Sequence, residues 1–332
     1  MTRIVEVLLP ALVSEELADR FRAVAREIDL RVVSFDGGGS CDRDPAKSEV
    51  LFRYFPNDRF SGRNFGTLEL RQLWARAPQL KWIQTNSSGV DGLLFPELVD
   101  SDIVLTSGAT VNSGPVAESV MALLLAVSKR IPEHVRHQQK REWTRYKKLE
   151  LRGSTVAVVG YGHIGEEVGR LCAAFGMRVL AVRRNPGRGG AYAETVFGHD
   201  DLRHALAQAD FVALTAAQVR GEPPLIGAAE LASMKPTAWL VNVARGTMVD
   251  ETALVDALRE GVIAGAALDV FPKEPLPANS QLWDLPNVLV SPHNSASSPR
   301  QDERTIDLFV ENFRRWVSGE PLLNVIDKTR GY

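Results

Sequence analysis

The stretch Thr155-Val156-Ala157-Val158-Val159-Gly160-Tyr161-Gly162-His163-Ile164-Gly165 decides the fold. Its first five residues are apolar or β-branched, the pattern of a strand buried on both faces. Glycines then recur at the spacing G-x-G-x-x-G, and a helical pattern runs on to about Gly176. Each glycine has its own task in that order of elements. Gly160 makes the tight turn, Gly162 lets backbone approach a pyrophosphate, and Gly165 lets helix and strand pack closely. The helix start, with His163 and Ile164, adds unpaired N–H groups and the positive end of the helix dipole. A dinucleotide site is therefore expected at Gly160, Gly162, His163, Ile164 and Gly165.

The alternation of strand and helix continues outward in both directions. Towards the C-terminus, strands are expected near 155–159, 178–182, 210–215, 238–243, 265–270 and 287–291, with helices between them and a loop at Gly187–Gly190. Towards the N-terminus, short strands are expected at Ile4–Leu9, Arg31–Phe35, Val50–Phe52, Lys81–Thr85 and Ile103–Thr106. Leu17, Phe21, Val24 and Ile28 form one helical face opened by Ser14 as N-cap, and Leu68 to Trp74 reads as a second helix. Val116–Val127 is apolar almost all round and predicts a buried helix. Lys129–Lys148 holds ten Lys, Arg or His residues and reads as a solvated helix and loop. Near the end, Ile306, Phe309, Phe313 and Trp316 share a helical face. The pattern predicts an α/β protein of two doubly wound parallel-sheet domains.

Composition narrows the function classes. At about 150 residues per domain, 332 residues suit two domains. Lys plus Arg is 39 and Asp plus Glu is 41, a formal net charge of −2, which argues against binding nucleic acid by phosphate neutralisation. Hydrophobic residues at 45% and charged residues at 24% are ordinary globular usage. Two cysteines, Cys41 and Cys172, supply neither a disulfide framework nor a Cys-rich zinc site, and a reducing cytoplasm fits them. His134 and His137 sit at helical spacing without further ligands, so no metal is expected. The longest purely apolar run, Val120–Val127, is far short of the roughly 20 residues a spanning helix needs. Glu6 interrupts what would be an export signal's apolar core, and a strand explains that segment better.

The second strand of the nucleotide-binding pattern ends in Arg183-Arg184-Asn185-Pro186. An NAD site usually places Asp or Glu there, on the adenosine ribose diol. A guanidinium instead pairs with a 2′-phosphate, so NADP is favoured and NAD is the alternative. The competing reading leaves both arginines solvated at a strand end. Three later strands each end in a polar residue suited to chemistry: Val241-Asn242-Val243-Ala244-Arg245-Gly246, Leu268-Asp269-Val270-Phe271 with Glu274-Pro275, and Ser291-Pro292-His293. In an open α/β sheet, ligands bind at the carboxyl ends of the strands. An arginine, a carboxylate and a histidine are thus expected on one edge.

With those pieces in order, the chain resembles the D-isomer-specific 2-hydroxyacid dehydrogenase family, in particular its glyoxylate/hydroxypyruvate reductase branch. Gly89-Val90-Asp91 and Val116-Ala117-Glu118 also match, and the resemblance runs from about residue 80 to 318. It implies a Rossmann-type cofactor domain, 110–296, inserted into a flavodoxin-like substrate domain, 1–109 and 297–332, with the active site between them and homodimers built around the apolar helix near 116–127 as the assembly. It implies His293 as acid/base, Glu274 as its partner and Arg245 as anchor of a small 2-keto or 2-hydroxy acid. Ser88 and Gly89 resemble the segment that holds the substrate carboxylate, and Asp269 the residue that contacts the nicotinamide amide. Thr215, Ala216, Val243 and Ala244 fall on cofactor-lining positions. The chemistry calls for these types: a proton must reach the carbonyl oxygen as hydride reaches C2, and a guanidinium fits a planar carboxylate. The longer phosphoglycerate dehydrogenases with appended regulatory modules are not expected to match.

Two segments depart from the family pattern. Ala217-Gln218-Val219 and Glu222 stand where a Pro-Leu-Thr turn and a later Thr are usual, and Asn294-Ser295-Ala296 follows His293. The rival expectation from another class is a dinucleotide-sensing binding protein that uses the same fold for partner recognition.

Overall fold

The computed structural model describes residues 2–54, 66–90, 92–219 and 221–331. The chain divides into two compact units: residues 1–112 with 298–332, and residues 113–297.

The first unit carries β1 (Arg3–Pro10), α1 (Ser14–Val24), β2 (Ile28–Phe35), β3 (Val50–Arg53), α2 (Thr67–Arg76), β4 (Trp82–Thr85), α3 (Pro96–Val99) and β5 (Val104–Thr106). Its parallel sheet has the order β2-β1-β3-β4-β5, the flavodoxin-like doubly wound arrangement. Side chains alternate across the sheet and build two cores. Val5, Val7, Val50, Phe52 and Trp82 face one, and Leu8, Leu51 and Ile83 face the other.

Helix α4 (Ala109–Ser128) leads out of this unit, and Asn112 is its last residue here. In the second unit follow α5 (Ile131–Lys140), β6 (Thr155–Val159), α6 (His163–Ala174), β7 (Arg178–Val182), β8 (Thr195–Phe197), α7 (Leu202–Gln208) and β9 (Phe211–Leu214). Then come α8 (Ala228–Ser233), β10 (Trp239–Asn242), α9 (Glu251–Glu260), β11 (Gly265–Leu268) and β12 (Val288–Val290). The strands lie in the order β12-β11-β10-β9-β6-β7-β8, all parallel. Counted from β6, that is the Rossmann order 3-2-1-4-5-6 with one strand added. Alternation again makes two cores: Ala157, Leu180 and Val212 pack with the α7–α9 side, and Val156, Val179 and Phe211 with α4 and α6.

Helix α10 (Gln301–Ser318) belongs to the first unit and packs Ile306, Phe309, Val310 and Phe313 against Leu17 and Phe21 of α1. Phe309 stacks on Phe52 at 3.9 Å, and Phe21 on Phe313 at 4.0 Å.

Several local readings change. Ser14 is the first residue of α1, not its cap, and its hydroxyl donates to the Ala11 carbonyl at 3.2 Å. Ile28 starts β2, because the backbone has left the helix at Ala25. The edge strand β8 was not anticipated; three half-buried residues after a polar loop give almost no periodic signal. Helix α4 starts seven residues before Val116 and, by length and composition, is long and apolar enough to cross a membrane. Its Val116, Ala117, Val120 and Leu124 are instead buried in the core of the second unit. Helix α5 buries none of its residues, and His137 sits between Tyr146 Oη and Glu142 Oε2, both at 2.5 Å. Among the described residues, no three His, Cys, Asp or Glu side chains are grouped as a metal site.

The aromatic stack is the firmest test of the first unit. Phe309→Ala should lower the unfolding free energy by about 3–5 kcal/mol, since the ring is fully buried and its loss leaves a cavity. Urea denaturation followed by tryptophan fluorescence measures it.

Candidate active site

The topological switch point of the second unit lies between β6 and β9, and the glycine-rich turn sits on it. Gly160 has φ +100°, and a Cβ there would lie 2.2 Å from both N and Cα of Ala216. A Cβ at Gly165 would lie 2.2 Å from the Gly160 carbonyl oxygen. Gly162 is different: it is exposed, and a Cβ would meet no protein atom within 4 Å. Two glycines are thus required by packing, while the third faces open space in front of the start of α6. That open cradle, with exposed His163 and half-buried Ile164 in the first turn, fits a pyrophosphate held by backbone N–H groups.

The neighbouring positions have more structural employment than their types suggest. The Thr215 hydroxyl donates to the Gly160 carbonyl at 2.7 Å, and Ala216 packs against Gly160. Val243 and Ala244 are buried in the two cores, so only their backbone is open to a ligand. Tyr161, which carried no expectation, is buried; its hydroxyl donates to the Ala191 carbonyl at 2.5 Å and tethers the loop after β7.

The two arginines at the end of β7 part ways. The side chain of Arg183 is 14% exposed; its Nη1 donates to the Gly189 carbonyl at 2.7 Å and lies 3.6 Å from Glu166 Oε1. Arg184 points outward at 43% exposed, with Nη2 3.5 Å from Glu222 Oε2.

At the other side of the sheet, β10, β11 and β12 end side by side. Asn242 shapes the turn after β10: its Oδ1 accepts from Ala244 N at 3.0 Å and its Nδ2 donates to the Arg245 carbonyl at 2.9 Å. Arg245 Nη1 donates to the Ala244 carbonyl at 2.8 Å. Gly246 is held so close to the next loop that a Cβ would lie 1.9 Å from the Phe271 carbonyl carbon.

Glu274 and His293 are brought together: Nδ1 and Oε2 are 2.6 Å apart, with both side chains about one-third exposed. The second oxygen of Glu274 accepts from Phe271 N at 3.0 Å, which fixes the carboxylate's rotation. His293 has φ +49°, a left-handed backbone that non-glycine residues adopt at a cost.

Asp269 explains how that conformation is kept. Its carboxylate is buried, and it accepts from Ser291 Oγ at 2.6 Å, Asn294 N at 3.1 Å and Ser295 N at 3.0 Å. Ser119 of α4 donates to the Ser295 carbonyl at 3.0 Å. Asn294, one of the departures from the family pattern, places its side-chain amide 2.9 Å from Ser291 Oγ.

Ser88 lies in the first unit, in the loop after β4, and accepts from Asn112 Nδ2 at 2.7 Å; Gln301 Nε2 donates to Asn112 Oδ1 at 2.9 Å. Gly89 is in the same loop, and Asp91 is outside the described residues.

A glycine-lined cradle at a switch point, joined on one sheet edge by a carboxylate–imidazole pair and an arginine, defines a nucleotide-dependent oxidoreductase of the α/β class. The family model for "D-isomer specific 2-hydroxyacid dehydrogenase, NAD binding domain" matches residues 121–295. Contrary to expectation, a longer phosphoglycerate dehydrogenase does match: the D-3-phosphoglycerate dehydrogenase of Methanocaldococcus jannaschii is 34% identical over 85% of this chain, which spans 54% of that protein. Glyoxylate/hydroxypyruvate reductase B of Pectobacterium carotovorum is 36% identical over 76% of this chain and 80% of its own length. Among solved structures, a D-isomer specific 2-hydroxyacid dehydrogenase from Xanthobacter autotrophicus, in complex with NADPH and MES, has TM-score 0.80 and 30% identity, with 99% of each chain covered. The chain belongs to the D-isomer specific 2-hydroxyacid dehydrogenase family and is an NAD(P)-linked oxidoreductase of small 2-hydroxy or 2-keto acids.

Asp269→Asn tests the anchoring of the His293 loop. An amide can neither accept from all three donors nor avoid pointing its own N–H at one of them. Unfolding free energy should fall by about 1–3 kcal/mol, the usual result of leaving a buried donor unpaired, as measured by chemical denaturation.

Proposed function

We propose that the protein reduces a small 2-keto acid of the glyoxylate or hydroxypyruvate type to the D-2-hydroxy acid, with NADPH preferred over NADH. The 2.6 Å pair of His293 Nδ1 and Glu274 Oε2, on the sheet edge that also ends in Arg245, carries the reading. When bound, the reduced nicotinamide supplies the hydride to C2. With Nδ1 held by Glu274, Nε2 of His293 delivers the proton to the carbonyl oxygen. Glu274 stabilises the imidazolium from which that proton leaves. Arg245 orients the substrate carboxylate and polarises the carbonyl. Glyoxylate and hydroxypyruvate are supported by the names of relatives at 33–36% identity, including glyoxylate reductase of Thermococcus litoralis.

The cofactor preference rests on Arg183 and Arg184 standing where an acidic residue would serve NAD. A solved structure from Sinorhizobium meliloti, described as an NADPH-dependent glyoxylate/hydroxypyruvate reductase in complex with NADP and sulfate, is similar at TM-score 0.78 and 26% identity. A cytoplasmic homodimer completes the proposal. Trp143 is 94% exposed, and Ile131, Val135 and Leu149 of the same chain segment are exposed as well, apolar surface that suits self-association. Trp143→Arg should then shift the sedimentation coefficient from dimer to monomer.

His293→Ala should lower kcat by at least about a hundredfold and leave NADPH binding nearly unchanged, because general-acid catalysis typically supplies 10²–10⁴-fold. NADPH oxidation with a panel of 2-keto acids, alongside cofactor titration by fluorescence, reads both. Tight cofactor binding without turnover on any acid would overturn the enzyme reading and favour a dinucleotide sensor.

A further inference from the structure

The loop after β9 departs from the family pattern at Glu222, and this residue faces the end of β7. Its Oε2 is 3.5 Å from Nη2 of Arg184, the more exposed of the two arginines. Glu222 also lines a groove of about 510 Å³ with His199, Arg203, Pro223 and Glu230. The groove therefore runs beside the carboxyl ends of β8 and β9, next to the position after β7 where an adenosine ribose is read.

The charges around that position nearly cancel. Arg183 is met by Glu166 at 3.6 Å and by the Gly189 carbonyl, and Arg184 is met by Glu222. Across the groove, Arg203 is occupied by Glu230 at 2.8 Å. Burial and the nearby Arg184 push the His199 imidazole below its ordinary range, so near neutral pH it adds no positive charge. An incoming 2′-phosphate, close to a dianion, finds Arg184 already facing a carboxylate. Both members of that pair are about half exposed, so the attraction between them is weak and the pair opens readily. The carboxylate remains nearby once it does, and it repels the phosphate.

We propose that Glu222 is a specificity-determining residue, which holds the preference for a 2′-phosphorylated over an unphosphorylated dinucleotide well below what Arg183 and Arg184 alone would give. The proposal rests on the reading of this unit as a dinucleotide site with Arg184 at the ribose. An unphosphorylated ribose diol carries no charge for that carboxylate to repel. The same residue therefore weakens one cofactor without weakening the other.

Calorimetric titration with adenosine 2′,5′-bisphosphate and with 5′-ADP separates the possibilities without any turnover. Glu222→Gln should tighten the bisphosphate by about three- to tenfold, the Coulomb effect of one charge several ångströms from a dianion, partly screened. It should change 5′-ADP by less than about twofold, and raising salt should shrink the gain. Arg184→Gln should weaken the bisphosphate selectively. If Arg184→Gln is selective while Glu222→Gln shifts both ligands alike or neither, this inference is wrong and the dinucleotide reading stands. If the wild-type protein binds neither nucleotide, the dinucleotide reading falls and the inference falls with it. Circular dichroism of both variants checks that the exposed substitutions leave the fold intact.

Discussion

The second unit depends on one close approach: the backbone of Gly160 lying against Ala216, where any Cβ would sit 2.2 Å from main-chain atoms. Parallel strands β6 and β9 are neighbours in the sheet but far apart in sequence, and their following loops must diverge to opposite faces. At a switch point of this kind a ligand crevice opens where the two loops separate. Thr215 fastens it through its hydroxyl on the Gly160 carbonyl, and Gly165 brings α6 close against the same carbonyl. The glycine pattern is thus a packing requirement at two positions and open space at one. The open position, Gly162, is the one on which a phosphate-binding role depends.

At the opposite side of the sheet the work is divided between two carboxylates. Asp269 is buried and spends its lone pairs on the turn from Ser291 to Ser295. Glu274 is one-third exposed and keeps one oxygen for the imidazole of His293. A buried carboxylate needs several donors to offset its lost hydration, so Asp269 suits an anchor. A carboxylate that keeps contact with water needs fewer protein partners, and Glu274 has the Phe271 N–H and the His293 imidazole. The separation follows from depth in the sheet: Asp269 directly follows the last residue of β11, and Glu274 lies five residues further into solvent.

Much of this was legible from residue types and spacing. Most strands of both sheets are short apolar runs, and a doubly wound parallel arrangement follows from their alternation with helices, whereas the strand orders are implied only by the family resemblance. That an arginine, a carboxylate and a histidine share one sheet edge could be inferred because successive parallel strands end there, while the pairing of His293 with Glu274 comes with the family resemblance. What escaped were features carried by a few atoms. Strand β8 is three residues long, and its only signal is pairing with β7. Ser14 has the chemistry of a cap, yet the 3₁₀ turn at Ala11–Val13 runs straight into the helix and leaves no capping position for it. Asn242 and Ser291 carry no charge and no periodicity, although they shape the turns that present Arg245 and His293. The different fates of Arg183 and Arg184 depend on partners contributed by Glu166 and Glu222, 17 and 38 residues away, which no local pattern joins to them.

The left-handed backbone of His293 joins these observations into one physical account. Such a conformation costs of order 1–3 kcal/mol for a residue with a Cβ and persists only where its surroundings over-determine it. Here the two following N–H groups, of Asn294 and Ser295, both bind the Asp269 carboxylate, the hydroxyl of Ser291 binds it from the other side, and Ser119 holds the carbonyl of Ser295. Hydrogen bonds to a buried charge are roughly twice as strong as neutral ones, so these contacts outweigh the backbone cost. The main chain of the two following residues thus fixes the backbone of His293, and the contact of its own Nδ1 with Glu274 Oε2 fixes the ring. A polar Asn294 is tolerated after the histidine for the same reason: its backbone does the anchoring, and its side chain turns back to Ser291.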